Sequence, residues 1–130
     1  MASTQQQMRE TILCIGGDAL ALHFRASALK HQGYQVLTST SGHSGLNLMS
    51  AEVVDAVVID FDLDHLPGPQ VVAEIKRLRP STRVILLSKD SELPEGTTES
   101  IDSVVPIAGE PESLLKALEK ILPQRPAHNV

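Results

Sequence analysis

Apolar and polar residues alternate in blocks along the chain, and these blocks predict alternating strands and helices. Five short apolar runs, at 11–15, 34–38, 56–59, 82–87 and 103–107, are typical of buried strands. Between them, apolar residues recur at helical spacing. The predicted helical faces comprise Leu22, Ala26 and Leu29; Leu46 and Met49; Val71, Val72, Ile75 and Leu78; and Leu114, Leu115, Leu118 and Ile121.

Residues with known positional preferences mark the ends of these helices. Asp18 is a good N-cap for the first helix, and Gly33 is suited to end it in a left-handed conformation. Pro67 fits a helix start, and Pro123 stops the last helix. The segment 91–102 contains Pro94 and Gly96, so we expect it to be short, irregular and mobile.

Strands alternating with helices predict an α/β fold with right-handed crossovers. Five strands in this length fit the flavodoxin-like, doubly wound parallel sheet of order 2-1-3-4-5, with helices on both faces. We expect one domain over 11–122, a flexible N-terminus over 1–10 and a flexible tail over 123–130. The switch point of this fold places the turn at Gly16, Gly17 and Asp18 beside the end of the third strand.

The third strand ends abruptly in carboxylates, at Asp60, Asp62 and Asp64. A charged group does not enter a buried core unpaired, so Asp60 is expected where the strand leaves the sheet. Ligands of open α/β sheets bind at this edge, which makes Asp60 a candidate functional residue. The alternative is that Asp60 only caps the segment that follows.

Composition narrows the possible functions. Aromatic residues make up 2% of the chain, so the core must be aliphatic, and the net charge of −5 disfavours nucleic-acid binding. Cys14 is the single cysteine and lies in an apolar run, as an inert buried thiol would. The sequence shows neither an apolar stretch that could span a bilayer nor a signal peptide, so we expect a cytoplasmic protein without membrane contact.

From about Thr11 to Leu122 the chain resembles the receiver domains of two-component response regulators. The resemblance rests on the segments 55–60, 29–36, 84–88 and 110–115, and on Gly68, in their order and spacing. It implies that Asp60 is the phosphoacceptor and that the Ser88 hydroxyl bonds a phosphoryl oxygen. It also implies a stand-alone signalling protein rather than an enzyme. Its partners would be a sensor histidine kinase or phosphotransfer protein, a downstream protein target and, in some cases, a second copy of the chain.

The departures from the family pattern concern the chemistry of the site. Gly16 and Gly17 stand where family members carry an acidic pair that helps to hold Mg²⁺, and the family's lysine would fall at Ile107 or Pro106. The aromatic switch position, near Val104, is aliphatic. We therefore expect Asp60 to lack the family's cationic partner. Lys89 adjoins Ser88 and could reach the site, although a solvated loop lysine is the simpler interpretation.

The same departures predict weak Mg²⁺ binding. The sequence leaves Asp60, Asp62 and Asp18 as weak metal candidates, because alternating carboxylates suit a hard cation. Mg²⁺ and phosphoryl chemistry should accordingly be impaired.

Two other functions remain open from the sequence. A receiver fold that is never phosphorylated would serve as a protein-interaction module. Alternatively, the sequence Asp60-Phe61-Asp62 resembles the nucleophile motif of haloacid-dehalogenase-like phosphatases. In that family the motif follows the first strand, and the chain is longer.

Overall fold

A computed structural model describes residues 9–63, 66–89, 93 and 99–122 of the chain. Its strands are β1 (Thr11–Ile15), β2 (Gln35–Ser39), β3 (Ala56–Asp60), β4 (Arg83–Ser88) and β5 (Ser103–Pro106). Its helices are α1 (Ala19–His31), α2 (Gly42–Ala51), α3 (Gly68–Leu78) and α4 (Glu112–Ile121), with a 3₁₀ turn at Ile107–Gly109.

The strands form one parallel sheet of order β2-β1-β3-β4-β5, which confirms the predicted fold. Several observed strand ends differ from the predicted ones by one residue. Tyr34 belongs to the turn that ends α1, because its N–H donates to the carbonyl of Leu29 at 3.2 Å, so β2 begins at Gln35. β4 runs from Arg83 to Ser88 rather than from 82 to 87, and β5 ends at Pro106 because Ile107 begins the 3₁₀ turn.

Side chains of successive strand residues pack on opposite faces of the sheet. In β1, Ile12 and Cys14 lie in the core layer that α1 and α4 cover, whereas Leu13 and Ile15 lie in the layer that α2 and α3 cover. The predicted helical faces are buried or partly buried, apart from Leu78, which is 39% exposed at the end of α3. The sheet therefore has a hydrophobic core on each side.

The predicted helix boundaries of α1 are confirmed. The Asp18 carboxylate accepts the N–H groups of Leu20 and Ala21, and Gly33 has a φ of 101°, in the region that favours glycine. α3 begins tightly against the end of β3, where the N–H of Gly68 donates to the carbonyl of Phe61 at 3.2 Å. A Cβ on Gly68 would lie 2.5 Å from the carbonyl oxygen of Asp60, so this close approach requires glycine.

Some expectations fall outside the described residues. These are the flexible ends, for which 1–8 and 123–130 are not described, most of the segment 91–102, and Asp64. Within the described ranges, no helix is both long and apolar enough to cross a membrane.

Candidate functional site

Asp60 is the last residue of β3, in the middle of the sheet, and it leaves a run of four buried residues, Ala56–Ile59. It opens onto a cleft of about 750 Å³ at the carboxyl ends of the strands. The cleft is lined by Gly17, Asp18, Ala19, Ala21, Arg25, Asp60, Asp62, Lys89 and Ile107. The glycine turn and Asp60 thus lie beside each other, as the predicted topology requires.

A cation other than the family's lysine lies beside Asp60, and the sequence analysis did not identify it. Arg25 of α1 is buried, with 4% of its side chain exposed, and its Nη1 lies 3.7 Å from Oδ1 of Asp60. Its Nε and Nη2 donate to the two carboxylate oxygens of Glu110, at 2.5 and 3.1 Å. One guanidinium therefore bridges the end of β3 and the segment that precedes α4.

The sequence did carry a signal for Arg25. It lies three residues after Leu22 and four before Leu29, on the apolar face of α1. A charged residue on such a face is buried only with a partner, which points to an internal ion pair. Glu110 had no comparable signal, because its approach to Arg25 depends on how α1 and α4 pack together.

Gly16 creates the space that this pair occupies. A Cβ on Gly16 would lie 2.7 Å from Oδ2 of Asp60 and 3.3 Å from Nη1 of Arg25. The first distance is shorter than side chains tolerate, and the second requires the guanidinium to give way. An acidic side chain at position 16 and the observed placement of Arg25 are therefore sterically opposed.

The charges of the cluster influence one another. Burial raises the pKa of Asp60; the positive charge of Arg25 opposes this, and the negative charge of Glu110 adds to it. Burial alone would lower the pKa of Arg25, but its hydrogen bonds with Glu110 and the nearby carboxylates raise it overall. Oδ1 of Asp60 is buried and accepts no hydrogen bond from any described residue. The Asp60 carboxylate is consequently under-satisfied.

The remaining predicted site residues occupy different surroundings. Ser88 ends β4 next to Leu87, the partner of Asp60 in the sheet register, but it is only 2% exposed. Lys89 is exposed and lines the cleft. Ile107, the position expected for the family's lysine, also lines the cleft and provides an apolar wall there.

The residues of the cleft do not fit a Mg²⁺ cage. Asp60, Asp62 and Asp18 line the same cleft, but Oδ1 of Asp18 already accepts two N–H groups of α1. Across the described parts of the chain, no three acidic, histidine or cysteine side chains lie close enough to hold a metal ion. Arg25 also brings a positive charge to Asp60, which opposes a cation at that carboxylate.

Comparisons with known proteins agree with this architecture. The chain is 29% identical over 116 residues to the transcriptional regulatory protein GlrR of Escherichia coli K12, covering 87% of this chain and 26% of GlrR. The chain thus spans about a quarter of the length of that curated relative. The regulator QseF of Escherichia coli O157:H7 matches to the same extent.

Solved structures share the fold. The response regulator TrrA of Thermotoga maritima, in complex with Mg²⁺–BeF, superposes with a TM-score of 0.82 at 21% identity, covering 87% of this chain and 99% of TrrA. CheY4 of Vibrio cholerae gives a TM-score of 0.82 at 19% identity, covering 88% and 100%. The sequence model of the response regulator receiver domain matches residues 12–119, so this chain belongs to the receiver domain family of two-component signalling.

Proposed function

We propose that Asp60 is the phosphoacceptor of this receiver domain. The observation that supports this most directly is its position: the carboxylate ends the central strand and opens onto the cleft. A carboxylate oxygen would attack the phosphorus of a phosphohistidine on a kinase or phosphotransfer protein. The P–N bond breaks as the new P–O bond forms, and the departing imidazole nitrogen takes a proton from solvent.

Phosphoryl transfer to a carboxylate requires positive charge near the reacting oxygens. Arg25 supplies that charge from within the fold, and Lys89 lines the same cleft from its outer side. The apolar side chain of Ile107 contributes none. Charge neutralisation in this domain therefore depends on a guanidinium that is already paired, which predicts slow phosphorylation.

The wider role follows from the family. We propose that the domain does not turn over a substrate as an enzyme, and that it acts in the cytoplasm through a kinase or phosphotransfer protein and a downstream protein target. GlrR and QseF are described as transcriptional regulatory proteins, so a link to transcriptional regulation is compatible with this role. The phosphatase alternative is set aside because the chain belongs to the receiver family.

The deciding experiment is phosphorylation of the purified chain with a small acyl phosphate, followed by intact-mass measurement. We expect a slow gain of one phosphoryl group in the wild type and none in Asp60→Asn. Ser88→Ala should lower the phosphorylated fraction, since the hydroxyl offers one neutral hydrogen bond. A wild type that never gains mass, with this donor or with phosphohistidine proteins, would instead favour the unphosphorylated interaction module.

Magnesium dependence gives an independent prediction. Because the cleft does not fit a Mg²⁺ cage, millimolar Mg²⁺ should change the melting temperature of the wild type by less than about 1 °C. The double variant Gly16→Asp, Arg25→Leu removes the guanidinium and introduces a second carboxylate beside Asp60, whose own carboxylate has to move to admit it; this variant should gain a Mg²⁺-dependent rise. A large rise in the wild type, abolished by Asp60→Asn, would contradict this prediction.

A further inference from the structure

The guanidinium of Arg25 lies between two carboxylates, those of Glu110 and Asp60, and interacts with them unequally. Arg25 holds Glu110 through two hydrogen bonds, of 2.5 and 3.1 Å, whereas its Nη1 lies 3.7 Å from Asp60, beyond hydrogen-bonding distance. All three side chains are largely buried, with 4%, 16% and 17% exposed for Arg25, Asp60 and Glu110. The guanidinium therefore binds Glu110 directly and Asp60 only through its charge.

Glu110 lies in the connection between β5 and α4. Its N–H donates to the carbonyl of Ile107 and ends the 3₁₀ turn, and α4 begins two residues later, at Glu112. Leu114 of α4 packs into the same core layer as Leu22 of α1. The Arg25–Glu110 pair thus ties α1 to the connection between β5 and α4.

We propose that Arg25 is a two-position switch, which holds Glu110 while Asp60 is unmodified and transfers to the phosphoryl group when Asp60 is phosphorylated. This proposal rests on the proposed function of Asp60. In the second position Glu110 is released, and the segment 107–115 loses its tie to α1. The signal would thereby reach the surface formed by β5 and α4.

Charge and geometry both favour the exchange. A phosphoryl group adds three acceptor oxygens and about −1.5 to −2 units of charge, against the single charge of Glu110. Guanidinium groups bind phosphate oxygens through paired, charge-assisted hydrogen bonds, which are stronger than neutral ones. The added negative charge also repels the Glu110 carboxylate at short range. A ligand shifts an equilibrium only by its differential affinity for the two states. In this proposal the phosphoryl group binds Arg25 in the second position and not in the first.

The test combines intact mass with backbone hydrogen exchange on the full chain, using a small acyl phosphate as donor. In the wild type, exchange over 107–115 should rise at least about threefold on phosphorylation, while exchange over β4 stays constant. Glu110→Gln should show raised exchange before any donor is added, and little further change. Glu112→Gln, an exposed acidic residue in the first turn of α4, is the matched control and should behave as the wild type does.

Two negative results have different meanings. A wild type that gains the phosphoryl mass while exchange over 107–115 stays level or falls would overturn the switch and leave the phosphoacceptor role intact. A wild type that gains no mass, either with this donor or with phosphohistidine proteins, overturns both. Arg25→Lys keeps the charge but cannot hold Glu110 with two parallel bonds, so its hydrogen exchange over 107–115 should match that of Glu110→Gln. This conservative variant also keeps the test valid if a more drastic variant fails to fold.

The shared guanidinium can also be tested without phosphorylation. Melting temperatures of Asp60→Asn, Glu110→Gln and the double variant form a mutant cycle. Because both carboxylates draw on Arg25 and repel each other, the two single shifts should fail to add by roughly 2 °C or more. Additive shifts would show that the two carboxylates do not share the cation, and would overturn the proposal.

Discussion

Two carboxylates of similar exposure lie at opposite ends of the sheet, and their surroundings differ sharply. At the amino end, the side chain of Asp102 is 23% exposed, and its Oδ2 accepts the N–H of Val84 at 2.7 Å and Nζ of Lys76 at 3.1 Å. At the carboxyl end, the side chain of Asp60 is 16% exposed, and its Oδ1 accepts no hydrogen bond from the described residues. The first carboxylate is held by hydrogen bonds within the fold, whereas the second keeps a buried oxygen without such a bond from the described residues.

The direction of the strands explains the difference. Parallel strands present free N–H groups at their amino ends and free carbonyls at their carboxyl ends. Strand N–H groups can therefore donate hydrogen bonds to a carboxylate at the amino end, but not at the carboxyl end. Asp55 illustrates this rule, because its Oδ2 accepts the N–H of Thr11 at 2.8 Å. A carboxylate at the carboxyl end must find positive charge elsewhere, and in this protein α1 delivers it through Arg25.

The largest effect is expected from removing that charge. Arg25→Gln leaves Asp60 and Glu110 without their cation, and it should lower the free energy of unfolding by about 3 kcal/mol. Denaturant titration measures this loss. Arg77→Gln, which breaks the exposed pair with Glu74, is the control and should change nothing measurable. A small loss for Arg25→Gln would mean that the cluster at the carboxyl end contributes as little as a surface pair.

Removing the structural carboxylate should cost somewhat less. Asp102→Ala leaves the N–H of Val84 and the ammonium of Lys76 without this acceptor, so we expect a loss of about 2 kcal/mol in a denaturant titration. Asp102→Asn keeps an acceptor for Val84, and its loss should be roughly half as large. Equal stability of the alanine variant and the wild type would remove the contrast between the two ends of the sheet.

Cys14, buried in β1 beside the charged cluster, offers a pH-dependent test. Burial raises the pKa of its thiol to about 12, with the charge of Arg25 in opposition. The unfolded thiol ionises near pH 8.5 and the folded thiol does not, so the stability it contributes is complete below about pH 8.5 and is lost as pH rises toward 12. By pH 10 the wild type should lose roughly 2 kcal/mol more than Cys14→Ala. Parallel pH profiles of the two proteins would show that water reaches this thiol.

The smallest expected effect has the opposite sign. Because burial is the main cause of the raised pKa of Asp60, its ionised form destabilises the fold at neutral pH. Asp60→Asn should raise stability by about 1 kcal/mol, or roughly 4 °C in melting temperature. Asp62→Asn, on the exposed side of the same cleft, is the comparison variant and should shift it less. A destabilised Asp60→Asn would place Asp60 with Asp102, as a carboxylate that supports the fold.

The sequence determined the order of strands and helices, the two-sided core and the location of Asp60. Each of these follows from local spacing: apolar runs, helical faces, a cap at Asp18 and a glycine at Gly33 all act within a few residues. The parallel order then brings the Gly16 turn and Asp60 to one edge. These features are short-range or topological, so one sequence is enough to predict them.

Only the tertiary structure decided which cation lies beside the Asp60 carboxylate. Arg25 and Glu110 are 85 residues apart, and their meeting depends on the packing of α1 against α4 and on the space left by Gly16. The spacing of α1 could have indicated that Arg25 is buried, but not which carboxylates it contacts. Long-range ion pairs are specified by distances and angles between packed elements, and no local pattern in the chain records them.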